Sequence, residues 1–171
     1  FDFAAIRDDV GALKTWLETA LSDEDLDELA DRDRGRFRLW REAVAHPGVV
    51  EWLRLKAALS VDLVRSWREA IDAVDPDKQL MSHAFMPPWT LLTGLDFSGV
   101  AEFSEAVSPK LYTMHWAQMV TFWGNTLRER NPDLDEQLLV RALVQLLDMI
   151  DGPPDDPAGE SLQDYRYPEP D

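Results

Sequence analysis

One stretch decides the predicted fold: residues 108–116 read Ser-Pro-Lys-Leu-Tyr-Thr-Met-His-Trp. This short apolar run carries Lys110, Tyr112, His115 and Trp116, and it opens directly into a helical pattern. Junctions between a strand and the next helix are where α/β proteins place groups that contact ligands. The stretch therefore predicts a strand at about 110–115 with a binding site at its end.

A second junction of the same kind lies upstream, where residues 79–89 read Gln-Leu-Met-Ser-His-Ala-Phe-Met-Pro-Pro-Trp. We expect a strand at about 79–85, followed by a loop in which two prolines stiffen the backbone that presents Trp89. His83 and His115 occupy analogous positions in the two junctions. Together the junctions predict a helix-rich α/β fold with two parallel strands.

The rest of the chain is predicted to be mainly helical, because apolar residues recur at spacings of three and four. We expect helices at about 3–20, 22–30, 36–45, 49–74, 96–107, 117–130 and 134–150. In the longest of these, Val64, Trp67 and Val74 are expected on one apolar stripe facing the core. Residues 31–35 are expected to be a charged, exposed connection. Asp96 is expected to begin its helix as a cap.

The composition limits the possible partners. The 171 residues are 45% hydrophobic, enough for a folded core, and they carry a formal net charge of −16. That charge repels nucleic acids and anionic membranes but is compatible with a neutral ligand such as a carbohydrate and with cationic partners. The absence of cysteine excludes disulfides, thiolate zinc sites and cysteine nucleophiles, and it leaves the compartment open.

The six candidate binding residues are expected to line one pocket at the strand ends: His83, Trp89, Lys110, Tyr112, His115 and Trp116. Tyr112 suits a hydrogen bond to a ligand, and a tryptophan held by a stiff loop suits stacking on a sugar ring. Ordinary structural roles remain open: a buried tyrosine, a lysine whose stem packs while its amine reaches water, a histidine at a helix start, or a tryptophan over the core.

Catalytic and metal-binding residues are not identified by the pattern. The acids, including Glu102 and Glu105, are best explained as solvated faces and caps, and neither predicted strand ends in Asp or Glu. Two histidines without a carboxylate are a weak metal ligand set. We therefore predict no metal and no cofactor, and we leave the catalytic residues unknown.

Six segments carry a resemblance to a known family: Phe1–Phe3, Arg38–Arg41, Trp52–Lys56, Val74–Asp77, Gly94–Phe97, and Pro109–Tyr112 with His115 and Trp116. In these segments the chain resembles the carboxyl-side half of glycoside-hydrolase-like β/α-barrel proteins of bacteria. The resemblance implies an eight-stranded TIM-type barrel that binds carbohydrate at the carboxyl ends of its strands and hydrolyses glycosidic bonds.

The chain departs from that family in having two predicted strands and no acid at a strand end. A parallel pair alone leaves two unpaired edges. We therefore expect residues 1–150 to be part of a barrel, with a Pro- and Asp-rich loop or tail at 151–171, and we expect this fragment to be inactive alone. Two alternatives stay open: a mainly helical interaction module without catalysis, and a metal-dependent barrel hydrolase using His83 and His115.

Overall fold

The structure is a computed structural model, and it describes residues 1–85, 89–110, 113–149 and 161–166. Within these residues the elements are α1 (Phe3–Thr19), α2 (Asp23–Ala30), α3 (Arg32–Ala45), α4 (Pro47–Asp72), β1 (Met81–Phe85), α5 (Trp89–Thr93), α6 (Phe97–Val100), β2 (Ala106–Lys110), α7 (Thr113–Arg130) and α8 (Glu136–Leu146). The chain divides into two compact units, one of residues 1–6 and 48–111 and the other of residues 7–47 and 112–171.

The first unit is built on a parallel pair of strands. β1 and β2 are hydrogen-bonded in a register that pairs Met81 with Ala106 and Phe85 with Lys110. Buried and exposed positions alternate along β1, as expected when only one face of a sheet is packed. Val64 of α4 and Val100 of α6 are buried in this unit. The predicted α/β class with two parallel strands is therefore confirmed.

The second strand lies earlier than predicted. β2 spans Ala106–Lys110 rather than 110–115, and α7 already begins at Thr113. Pro109 lies within β2, and an edge strand tolerates proline because one side of its backbone needs no partner. His115 and Trp116 are consequently helical residues, so the prediction that the strand extends to His115 is wrong.

The second unit is a helical assembly in which α2 packs against α3 and α8, and α7 packs against α8. Ser22 and Asp25 form a reciprocal capping box that starts α2. Its buried side chains come mainly from α2 and α8, with Leu26, Leu139 and Val140 almost fully covered. These side chains form the core of the second unit.

The connection predicted at 31–35 is instead the first turn of α3. Asp31 caps this helix by accepting hydrogen bonds from the N–H groups of Asp33 and Arg34. Gly35 is buried, and a Cβ built there would lie 2.8 Å from the carbonyl oxygen of Leu29. The charged residues and the glycine are typical of an exposed loop, but here Asp31 caps the helix and Gly35 allows α3 to pack closely against the end of α2.

Residues 161–166 pack against the helices of the second unit. The hydroxyl of Thr121 donates to the carbonyl of Leu162 over 2.7 Å, and the N–H of Leu162 donates to Glu136 over 2.8 Å. The side chain of Leu162 is buried beside Gly124, where an added Cβ would overlap it. The rest of the predicted tail, residues 151–160 and 167–171, lies outside the described residues.

Three further differences concern helix faces and ends. Trp67 and Val74 are 51% and 88% exposed, so they do not belong to the core-facing stripe that contains Val64. α6 ends at Val100 instead of near residue 107, and α8 spans Glu136–Leu146 instead of 134–150. No helix among the described residues is long and apolar enough to span a membrane.

Candidate functional site

One face of the β1–β2 sheet is open, and it carries two of the predicted binding residues. Ser82 and Ala84 are buried on the packed face, whereas Met81 and His83 are exposed on the other. The register puts Ala106, Ser108 and Lys110 on the same side as Met81 and His83, although burial does not alternate along β2, where Ser108 is half-buried and Pro109 is exposed. We call the second surface the open face, and it consists of Met81, His83, Phe85, Ala106, Ser108 and Lys110.

The register brings polar groups together on the open face. His83 is paired with Ser108, and Lys110 follows two residues later on the same side of β2. Since adjacent strands are about 4.8 Å apart, the imidazole, the hydroxyl and the ammonium group belong to one small surface. His83 and Lys110 are exposed and Ser108 is half-buried. Ser108 was not predicted, because the misplaced strand began after it.

Both strands end at the same level, since Phe85 pairs with Lys110. Parallel strands in α/β proteins bind ligands beyond their carboxyl ends, so this edge is the one to consider. Tyr112 follows the last residue of β2 by two positions in the sequence, and it lies outside the described residues. Trp89 is the first residue of α5, and its side chain also lies outside the description. Their predicted roles stay predictions.

A groove in the first unit adjoins the segment that follows β1. It has a volume of about 450 Å³ and runs between one side of α4 and residues 90–98. Its lining combines apolar and polar side chains: Leu53, Arg54, Ala57, Thr90, Leu95, Asp96, Phe97 and Ser98. This mixture of an apolar floor and a few polar groups is typical of small-molecule sites.

The groove wall is held to α4 by specific contacts. The hydroxyl of Ser60 donates to the carbonyl of Gly94 over 2.8 Å, and Lys56 donates to the carbonyl of Leu92. Gly94 has a φ of +93°, and a Cβ there would lie 2.5 Å from the Cβ of Lys56. Only glycine fits this left-handed, closely packed position. The groove therefore has a fixed wall.

Asp96, the acid of this groove, has a structural role. It caps α6 by accepting a hydrogen bond from the N–H of Ser98 over 3.0 Å, as predicted from the sequence. Arg54 on the opposite wall forms an ion pair with Glu51. Each charged side chain of the lining is thus already engaged, which favours ligands that bring no charge of their own.

Glu105 has a structural role at the opposite, amino end of the strands. Its carboxylate accepts a hydrogen bond of 2.6 Å from the N–H of Leu80 and lies 3.3 Å from the guanidinium of Arg68. The bond from Leu80 is the main cause that lowers the pKa of Glu105, and the charge of Arg68 adds to it. Glu105 was predicted to lie on a solvated face. Instead, its contacts with Leu80 and Arg68 connect the start of β2 to the residue before β1 and to α4.

The remaining predicted residues belong to the second unit. His115 and Trp116 lie in the first turn of α7 and are half-buried. Their assignment to a strand end is corrected by the helix, while their role in binding is untested and stays a prediction. Among the described parts of the chain, no group of three or more His, Asp or Glu side chains is arranged to hold a metal ion.

Comparison with protein-family models, with curated proteins and with solved structures found no match to this chain.

Proposed function

We propose that the first unit binds a carbohydrate, or a similar neutral polyhydroxyl molecule, at the carboxyl ends of β1 and β2. In this proposal the chain is part of a glycoside-hydrolase-like β/α barrel. The observation that carries it is the register of the parallel pair, which puts His83, Ser108 and Lys110 on one uncovered surface. Parallel sheets are normally covered on both faces, and the interior of a barrel is one such environment.

The chemistry of this surface supports a hydroxyl-rich ligand. A neutral imidazole both donates and accepts hydrogen bonds, a serine hydroxyl does the same, and a lysine donates up to three. Sugar hydroxyls complement all of these. The net charge of −16 disfavours an anionic ligand at long range, whereas a neutral sugar is unaffected.

Hydrolysis would require residues beyond the open face. Glycoside hydrolases use two carboxyl groups that flank the scissile bond. The open face has no acidic residue, and Asp96 in the groove is engaged as a helix cap. We therefore assign binding to the first unit and place the catalytic carboxyl groups outside it in the intact protein.

The proposal is tested by calorimetric titration with cellohexaose and maltohexaose, and with an oligogalacturonate of the same length as the charged comparison. At least one neutral sugar should bind more tightly than the anionic one. Lys110→Ala should weaken that binding about tenfold or more, because a hydrogen bond to a charged group is worth roughly 1.5–3 kcal/mol. His83→Ala should weaken it about two- to tenfold, because a hydrogen bond to a neutral group is worth roughly 0.5–1.5 kcal/mol.

Lys78→Ala is the matched control. Lys78 is also exposed, but it precedes β1 at the amino end of the sheet and pairs with Asp75 over 3.4 Å. Its replacement should leave sugar affinity unchanged. Failure of every neutral sugar to bind at about 10 mM, or an equal loss in Lys78→Ala, would contradict the proposal.

A further inference from the structure

The helix α3 turns bulky apolar side chains toward solvent. Phe37, Trp40 and Val44 are 70%, 72% and 79% exposed. Residues three and four apart are neighbours on a helix surface, so these side chains form one continuous row, which we call the α3 stripe. Burying a side chain of this size contributes roughly 1.5–3 kcal/mol. A contiguous exposed apolar row of this kind is characteristic of a surface that binds a partner.

The charge of α3 is opposite to that of the chain. The helix has five arginines against Asp33 and Glu42, a net charge of +3, while the whole chain carries −16. Most of the positive charges of α3 form ion pairs within the second unit. The arginines at positions 34, 38 and 41 all form ion pairs with acids of α2 or of the α2–α3 junction.

Two arginines are left over on the same helix. Arg32 and Arg36 are exposed, and neither has an acid within ion-pair distance among the residues that the structure describes. They are one turn apart, and Arg36 is one turn from Trp40, so they lie in a row along the α3 stripe. An apolar row flanked by unpaired positive charges favours a partner surface that combines apolar side chains with acidic ones.

We propose that the α3 stripe docks an acidic amphipathic helix of a partner protein. Bulky side chains of the partner, spaced three and four residues apart, pack against Phe37, Trp40 and Val44. Acidic residues on the flank of the partner helix meet Arg32 and Arg36. The apolar contact supplies affinity, while the charge row sets orientation and excludes basic helices. This surface is independent of the sugar site proposed above.

Charge also argues against two other occupants. A second copy of the chain carries the same net charge of −16, so the two copies repel each other, and it offers the same arginine-flanked stripe rather than an acidic one. An anionic membrane would attract two free arginines and repel an excess of sixteen negative charges. A single acidic helix carries few charges, so this repulsion is weaker for it, and salt screens the part that acts beyond about 8 Å, while its acidic flank lies directly against Arg32 and Arg36.

The test uses two synthetic peptides of about 20 residues, long enough to form a helix in water. Both carry Leu and Trp at positions i, i+3 and i+7; one has Glu at the flanking positions and the other has Lys. Fluorescence anisotropy should give a micromolar Kd for the Glu peptide and a Kd at least about tenfold weaker for the Lys peptide. Arg36→Glu should reduce the ratio between the two Kd values or make the Lys peptide the tighter binder.

Trp40→Ala should weaken binding of the Glu peptide at least about tenfold, as is usual for a central tryptophan in an interface. Phe37→Ala provides a second, independent removal of apolar contact. Trp67→Ala is the matched control, since Trp67 is also half-exposed but belongs to α4 in the first unit. It should not alter binding. Thermal unfolding followed by circular dichroism checks that each variant is folded.

Several results would overturn the proposal. Equal affinity for the two peptides, no binding at about 1 mM, or full binding by folded Trp40→Ala and Phe37→Ala would each do so. So would a dimer in light scattering that Trp40→Ala dissolves, which would identify a second copy as the occupant. Binding to phosphatidylserine vesicles that depends on Trp40, without preference for the Glu peptide, would identify a membrane instead.

Discussion

Ser82 and Ser104 are each other's hydrogen-bond partners inside the first unit. Their hydroxyl oxygens are 2.6 Å apart, and both side chains are buried. A buried hydroxyl without a partner costs about 1–3 kcal/mol, whereas removal of both hydroxyls costs much less. Ser82 lies on the packed face of β1, so this bond fixes the strand that carries His83 on its other side.

Ser104→Ala should lower the free energy of unfolding by about 1–3 kcal/mol, because it leaves the hydroxyl of Ser82 unsatisfied. The double variant with Ser82→Ala should recover part of that loss. Urea unfolding of the wild type, both single variants and the double variant measures the coupling. Strict additivity of the two single effects would show that the hydroxyls do not interact.

Among the elements, β2 shows most clearly why sequence and structure differ. The strand signal at 110–115 came from apolar and aromatic residues, but Thr113–Arg130 is helical. Tertiary contacts decided the outcome: Val120 and Gly124 of α7 are buried in the second unit, and β2 pairs with β1 in the first. The helices were located well because their apolar periodicity extends over several turns. Strand boundaries depend on pairing, which no local pattern contains.

The contacts of Glu105 at the amino end of the sheet predict that the stability of the fold depends on pH. The pKa of Glu105 is lowered from its usual value of 4.5 by the hydrogen bond from Leu80 and by Arg68. A lowered pKa in the folded state means that the carboxylate stabilises the fold at pH values above 4.5. This stabilisation is lost as the pH falls through 4.5 toward the lower pKa of the folded protein.

Glu105→Gln should therefore be less stable than the wild type at neutral pH, and the difference should shrink below pH 4.5. Denaturant unfolding between about pH 3 and pH 7 measures it. Glu102→Gln is the matched control, since it removes the same charge three residues away and has no ion pair within the described part of the chain. A difference that stays constant with pH would contradict the assignment.

At the scale of the whole molecule, the sequence predicted the class and the position of most helices but not the division into two units. The parallel pair was predicted because the two junctions repeat the same order of residue types. Of the six predicted binding residues, His83 and Lys110 share the open face, and His115 and Trp116 belong to a helix of the other unit. The predicted barrel depends on strands beyond the two that occur among the described residues, and it stays a prediction.

The excess of acidic residues predicts a gain of stability with salt. Mutual repulsion of like charges destabilises a compact chain of net charge −16, and salt screens that repulsion. The ion pairs that salt also weakens are mostly exposed and contribute little. The Tm should rise by about 2–4 °C between roughly 0.02 M and 0.3 M sodium chloride, which corresponds to about 1 kcal/mol. Potassium chloride should act alike, and a falling Tm would contradict the prediction.

The contact between Leu162 and Gly124 has a consequence for how this chain can change over time. The leucine fills the space that the glycine leaves, and a methyl group at position 124 would overlap it. The two positions therefore share a fixed volume. Relatives of this chain should vary at positions 124 and 162 together, with alanine or serine at 124 matched by a smaller residue at 162. Such a paired exchange of volume would mark common descent even where little other sequence identity survives.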